Sequence, residues 1–274
     1  MVRIAVCWKW VSLDGERDPD SRWAGVSDAD EAALEVALQL AESVPAAERH
    51  VSVHCLGPAA ADEVLRTALA VGADDVCRVD ASPRLDSRTV ATALAASIDA
   101  VTGSAGVDIV VCGDVSVDRG TGSTPAHLAA ELGVAQALGL VEVATTVTDG
   151  TVRALRRLDG GRREVLDVPL PAVISVEGAV ARLRRAPMAA SLAARGRTVA
   201  VRPGPFGHPA DTEAHPYRPR PRTLVAPDGD ALHRVRQLLD IGGSGDHHSE
   251  PVVLEPPEAA VRIVAQLREW GYLT

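Results

Sequence analysis

The residues of this 274-residue chain best suited to chemistry lie in one stretch, Gly120-Thr121-Gly122-Ser123-Thr124, followed at once by Pro125. Binding a phosphate takes several backbone N–H donors converging at a helix N-terminus, with small residues that let the backbone come close. The stretch follows an apolar run at 109–112 and precedes an Ala/Leu-rich segment, and Pro125 suits a first helical turn, where no donor is lost. Anion binding is therefore the chemistry it suits, set against the plainer alternative of a loop that only caps a helix. Ser123 stands near His127, but neither a GxSxG elbow nor an orienting acid at readable spacing goes with them, so no nucleophile is indicated. Asp246, His247 and His248 fall in a Gly/Ser-rich joint where nothing fixes ligand geometry, and His208 and His215 sit among prolines, so no metal site is expected. Cys7, Cys55, Cys77 and Cys112 match neither CxxC nor zinc-ligand spacing and read as reduced, buried thiols of a cytosolic protein.

The elements that must position the loop follow a βαβ pattern. Short apolar runs at 3–11, 50–56, 75–79 and 109–112 read as strands, and between them lie segments of helical period. Ser27-Asp28 precedes a helix over 30–43 whose leading aspartates complement its N-terminal dipole. Pro58 opens a helix over 59–71 that stops at Gly72; two more span 87–102 and 124–132, the second ending at Gly133. The spacing predicts an α/β fold with a doubly wound, mostly parallel sheet. The second half adds a β-hairpin, 142–148 and 151–158 around Asp149-Gly150, then a turn at Asp159-Gly160-Gly161 before 163–168, and a strand at 171–176. Residues 183–194 read as a partly helical surface segment. From 202 to 228 many prolines forbid regular structure, and helices at 231–240 and 256–272, separated by a flexible joint at 242–249, complete a C-terminal arm. Ligands of open α/β sheets bind at the carboxyl ends of the strands, which nominates Cys7 and Trp8, residues 27–30 (Ser27, Asp28, Ala29, Asp30) and Leu56. For Cys7 and Leu56 a buried strand role is an equal alternative.

Composition narrows the function. With 46% hydrophobic residues the chain can bury a large core, while aromatics are only 3%, so Ala, Val, Leu and Ile must build it, as suits strands covered on both faces. A net charge of -9 argues against a nucleic-acid or anionic-membrane surface. No apolar window reaches the ~18 residues of a membrane span, and the N-terminus carries no cleavage-type small-residue site, so a soluble, cytoplasmic protein without membrane insertion is expected. Lys9 is the only lysine.

Four stretches together resemble the beta subunit of electron-transfer flavoproteins: the AVCWKWV strand; HCLGP followed by LRTALAVGADD; VDIVVCGDVSVDRGTGSTPAHLAAELG; and LDGGRREVLDVPLPAVISVE. Their order and spacing agree over residues 1–201, taken as the α/β domain, with 202–274 as linker and helical arm. LRTALAVGADD and the DGG-to-LPAV unit are the most specific. The resemblance implies an adenine-nucleotide-type fold, a heterodimer with a larger alpha subunit that carries most of a bound FAD, a structural AMP on this chain, and electron transfer from a dehydrogenase to an acceptor. It assigns phosphate contacts to Asp118, Gly122, Ser123 and Thr124, beside Gly120 and Thr121. No catalytic residue is implied, because the flavin does the electron chemistry.

Four departures stand out. The family's Asn-Pro-Phe motif is replaced by Ser27-Asp28-Ala29, the acid before DGG by Arg157, and the Asn/Gln pair of the phosphate loop by Gly122 and Ser123. The recognition loop survives only as Arg184-Arg185-Ala186-Pro187-Met188 and the stretch from Ser191 to Arg197, with Met188 and Leu192 as docking candidates against an ordinary solvated helix face. A specialised branch serving another redox system, such as the peptide-derived cofactor mycofactocin, fits these departures. Two rivals stay open: a nucleotide-binding module of universal-stress-protein type, which lacks the hairpin and long tail, and an adenine-nucleotide hydrolase or ligase, which needs a glycine-rich SGGxDS-type loop absent from Cys7-Trp8-Lys9-Trp10.

Overall fold

The computed structural model describes residues 1–13, 23–82, 85–205, 229–238 and 254–270. They fall into two units, Met1–Thr212 and Glu213–Thr274.

The first unit begins with β1 (Val2–Lys9), whose central residues are buried on both faces, as a strand in the middle of a covered parallel sheet must be. A short hairpin, β2 (Val11–Ser12) and β3 (Ala24–Gly25), follows, then α1 (Asp28–Glu42). Ser27 caps α1 as expected: its hydroxyl accepts the Asp30 N–H at 3.1 Å. Five alanines of α1 are buried and let the helix lie close on the sheet. β4 (Arg49–Gly57), α2 (Asp62–Val71) and β5 (Asp75–Asp80) complete one wing. Then α3 (Ser87–Thr102), capped by Asp86 through the Arg88 and Thr89 amides, carries the chain back to β6 (Ile109–Gly113) on the other side of β1.

After β6 come α4 (Ser123–Leu132), closed by left-handed Gly133, and the antiparallel set β7 (Ala135–Thr148), β8 (Thr151–Arg157) and β9 (Arg163–Pro169). Asp149 at φ 51° and Gly150 at φ 72° form the hairpin turn, where two successive positive φ values suit an Asp-Gly pair. β10 (Ala172–Val176), α5 (Met188–Arg195) and the edge strand β11 (Ala200–Pro203) end the unit.

The strand order is β11-β5-β4-β1-β6-β10-β7-β8-β9, parallel from β11 to β7 and antiparallel at β8 and β9. One core lies between the sheet and α1 and α2; it contains Ile4, Val6, Val53, Leu34 and Leu65. The other lies on the opposite face, where Ala5, Val110, Leu94, Ile98 and Leu128 pack with α3 and α4. The expected doubly wound α/β sheet with a hairpin addition is what the chain forms.

Three boundaries differ from expectation. β7 starts at Ala135 rather than 142, because its first half pairs in parallel with β10. The 183–194 segment is helical only from Met188, and the residues before it run as an extended strap. β11 occupies 200–203, where a linker was expected; it pairs with β5 on one side only, and an edge is where a strand tolerates Pro203.

In the second unit, α6 (Ala231–Leu238) and α7 (Pro256–Glu269) match the two expected helices in position. The rest of the arm, including 206–228, the 242–249 joint, His208, His215, His247 and His248, lies outside the described residues.

Candidate functional site

The order of strands reverses between β1 and β6: from β1 the chain winds toward β4 and β5, and from β6 it winds the other way. At such a reversal the connections diverge and leave a crevice beyond the carboxyl ends of the two strands. Here it is lined by Cys7, Trp8 and Lys9 from β1, Ser27 and Asp30 from the start of α1, Gly113 to Val117 beyond β6, and Thr121, Gly122, Thr124 and Pro125 at the start of α4. Val90 and Leu94 of α3 form an apolar wall.

Asp30 holds the crevice together. Its carboxylate accepts the backbone N–H groups of Lys9 and Gly113, thereby tying the ends of β1 and β6, and it also accepts from the Ser27 N–H and hydroxyl. With Ser27 it forms a reciprocal cap of α1. The Trp8 indole N–H donates to the Asp30 carbonyl at 2.6 Å and fixes the same turn from below. Gly113 must be glycine: a Cβ there would meet the Asp30 carboxylate at 2.8 Å and Ala29 at 3.0 Å. Burial dominates the carboxyl's protonation and, against these four donors, pushes its pKa up to about 7.

The loop from Asp114 to Gly122 folds on itself. The Ser116 N–H donates to the Thr121 carbonyl at 2.9 Å, and the Gly120 N–H, at a left-handed φ of 62°, donates to the Ser116 carbonyl at 2.7 Å. Gly122 lies directly under Asp114, whose carbonyl oxygen would be only 2.3 Å from an added Cβ. No side chain caps α4, so its first amides open toward the crevice without a competing oxygen. Lys9 Nζ reaches across the mouth to Asp118 at 2.6 Å, and Asp118 also accepts from the Ser116 hydroxyl. These donors and the Lys9 ammonium hold the Asp118 carboxyl below its usual range, in spite of its partial burial.

Of the residues nominated from sequence, Cys7, Trp8, Ser27, Asp30, Thr121, Gly122 and Thr124 converge on the crevice. Gly120 does not: its amide is spent inside the loop. Ser123 is the first residue of α4, and Asp118 borders the crevice through Lys9. Leu56 is fully buried at the end of β4, its carbonyl accepting the Trp10 N–H at 2.9 Å. Asp28 turns instead to a separate hollow of about 630 Å³ that it shares with Glu31 and the 178–183 strap. Cys7 and Cys112 sit side by side on β1 and β6, and their mutual hydrogen bond and burial push the Cys7 thiol well above its ordinary value, leaving it an inert thiol. Sequence reasoning missed Lys9 and Asp114 as crevice residues; the single lysine at the end of a strand was the one available signal.

The enclosed space is about 40 Å³, room for a few waters. A mononucleotide is larger than this space and enters it only if part of the lining moves. The donor set itself fits a phosphate: a helix start without a side-chain cap, a glycine that admits no side chain, hydroxyls at Thr121 and Thr124, and one ammonium.

Far from this crevice in sequence, α5 packs on α2 and exposes Met188 (76%) and Leu192 (57%), one turn apart on the same side of the helix. The strap before it is clamped to α1 by Arg184. The Arg184 guanidinium donates to Glu35 at 2.9 Å and to Glu42, and its backbone N–H donates to Glu35 at 3.1 Å. Both carboxyls are held below their ordinary range by these bonds, which for Glu35 outweigh burial. Among the described residues no helix is long and apolar enough to cross a membrane.

Known proteins resemble this chain in sequence. The family model "Electron transfer flavoprotein domain" matches residues 21–203. Electron transfer flavoprotein subunit beta of Syntrophomonas wolfei is 32% identical over 213 residues, covering 73% of this chain and 79% of that protein. The Mycobacterium tuberculosis protein of the same description is 31% identical over 188 residues, 67% of this chain and 68% of that protein. Protein FixA of Bradyrhizobium diazoefficiens is 34% identical over 172 residues, 61% and 58% respectively. With a family match that spans most of the first unit and includes the hairpin, the chain belongs to the electron transfer flavoprotein family, among its beta subunits.

Proposed function

We propose that the chain works as one half of a heterodimeric electron carrier. It pairs with a larger alpha subunit that holds most of an FAD, keeps an AMP in the β1/β6 crevice, and carries electrons in the cytoplasm from a dehydrogenase to an acceptor. Family membership supports the electron-transfer role, and the observation that carries the nucleotide assignment is the uncapped α4 start facing the crevice beside Lys9. The flavin supplies the electron chemistry when bound. This chain's residues bind, orient and exclude water.

For AMP, the Ser123 and Thr124 amides and the hydroxyls of Thr121, Ser123 and Thr124 are the phosphate donors, while Val90, Leu94, Val115 and Val117 offer apolar contact to a base. Asp30 is not a phosphate donor, since its carboxylate already takes the Lys9 and Gly113 amides. The dehydrogenase docks on α5, where Met188 and Leu192 supply an apolar anchor and Arg185, Arg195 and Arg197 steer the encounter. The altered anchor and the missing Asn-Pro-Phe motif support a client other than an acyl-CoA dehydrogenase.

The test is to co-produce the chain with its flavin-binding partner, denature the purified complex and identify the released nucleotides by mass spectrometry. One FAD and one AMP per heterodimer is the expected result. FAD without AMP would keep the electron-carrier role and remove the crevice assignment; neither nucleotide would remove both.

A further inference from the structure

The crevice carries three carboxylates and a single cation. Asp30 and Asp114 line it, Asp118 borders it, and Lys9 is the only positively charged residue among its described lining. The nearby backbone donors are mostly committed. The Lys9 and Gly113 amides go to Asp30, the Asp114 amide to the Val176 carbonyl, and the Ser116 and Gly120 amides back into the loop. A phosphate that enters this space thus finds the start of α4, the Thr121 and Thr124 hydroxyls and, as its one charged donor among the described lining, the Lys9 ammonium. A helix start supplies about half an elementary charge, too little to balance a dianion beside carboxylates.

Resting on the nucleotide reading above, we propose that Lys9 is the group through which the crevice recognises a nucleotide's phosphate, and that Asp118 is its positioning partner. The Lys9 side chain is only 12% exposed, and its ammonium is pinned at 2.6 Å by a carboxylate that is itself held by the Ser116 hydroxyl. The charge is consequently fixed at the mouth rather than free to sample solvent. An ammonium has three donors, so Lys9 can keep Asp118 and still give two to a phosphate. Arginine dominates the positive charge of this chain elsewhere.

The experiment measures AMP and adenosine binding to the full chain by calorimetry. The wild-type chain should prefer AMP, and Lys9→Met should weaken AMP about 10- to 100-fold, as expected for loss of a charged hydrogen bond, while leaving adenosine within about twofold. Lys9→Arg keeps the charge and should restore part of the preference, which separates loss of charge from misfolding. Because Lys9 is the only lysine, amine-selective acylation followed by peptide mass spectrometry gives an independent readout: AMP should protect Lys9, and adenosine should not. If Lys9→Met retains the preference for AMP, or AMP leaves Lys9 as reactive as before, the role of Lys9 is overturned while the crevice stands. If the wild-type chain binds neither compound, the crevice reading fails and this inference with it.

Discussion

Acidification should remove a stabilising contribution held by one buried imidazole. His54 is fully buried between β4 and α3, with Nδ1 2.8 Å from the Ser97 hydroxyl and Nε2 3.0 Å from the Ser52 hydroxyl; the Ser97 hydroxyl in turn donates to the Cys77 thiol at 3.3 Å. One arrangement satisfies every group: Nδ1–H donates to Ser97, and Nε2 accepts from Ser52. A second ring proton finds no acceptor in that arrangement. Burial, reinforced by Arg202 and His50, lowers the His54 pKa from 6.5 to about 4. The unfolded chain therefore binds a proton that the folded chain refuses between pH 6.5 and pH 4. Asp30, raised to about 7 by burial, contributes with the opposite sign over this range, while the His54 contribution is complete above pH 6.5 and is lost as pH falls toward 4, with a limiting slope of about 1.4 kcal/mol per pH unit and a total near 3 kcal/mol. That is a large part of an ordinary domain's ~5–15 kcal/mol. Urea unfolding at several pH values between 5 and 7 measures the net slope, and His54→Gln, whatever its constant offset, should lower that slope by close to one proton. A variant whose slope equals that of the wild type would refute the assignment of the lost proton to His54.

Three further outcomes test other parts of the account. Gly122→Ala places a methyl 2.3 Å from the Asp114 carbonyl, so the loop must shift; we expect a loss of about 1–3 kcal/mol in thermal unfolding, together with weaker AMP binding. Arg184→Ala leaves the Glu35 carboxylate, 6% exposed, without its guanidinium and frees the strap; about 2–3 kcal/mol should be lost, and hydrogen exchange should rise across residues 178–187. Met188→Asp and Leu192→Asp change exposed side chains and should leave stability within ~0.5 kcal/mol, but reduction of the heterodimer by its dehydrogenase should slow at least tenfold, read as flavin bleaching in stopped flow.

The sheet was legible where local chemistry and tertiary pairing agree. Ser27 announced α1, Gly72 and Gly133 ended α2 and α4, and Asp149-Gly150 set the hairpin, since each answers a local backbone demand. β7 was half hidden, because the AQALGL run lacks β-branched residues and is extended only through its pairing with β10. β11 was hidden by Pro203, which an edge strand accepts and a central strand does not. In the site, the glycine-rich helix start could be read from sequence, but the charge balance around it could not. The Lys9–Asp118 pair spans 109 residues and the Arg184–Glu35 pair 149, and no local pattern records such partners. Leu56 lies buried at the end of β4, with its carbonyl taken by the Trp10 amide, a pairing that no local pattern records.

The central claim is that this chain completes a flavin-bearing heterodimer. Sedimentation of the chain produced together with its partner, followed at the flavin absorbance and at the protein absorbance, tests it most directly. The account predicts one boundary that carries both signals, with one copy of each subunit and one flavin, and a colourless chain when the partner is omitted. A colourless self-paired chain that binds adenine nucleotide and ignores the partner would contradict it.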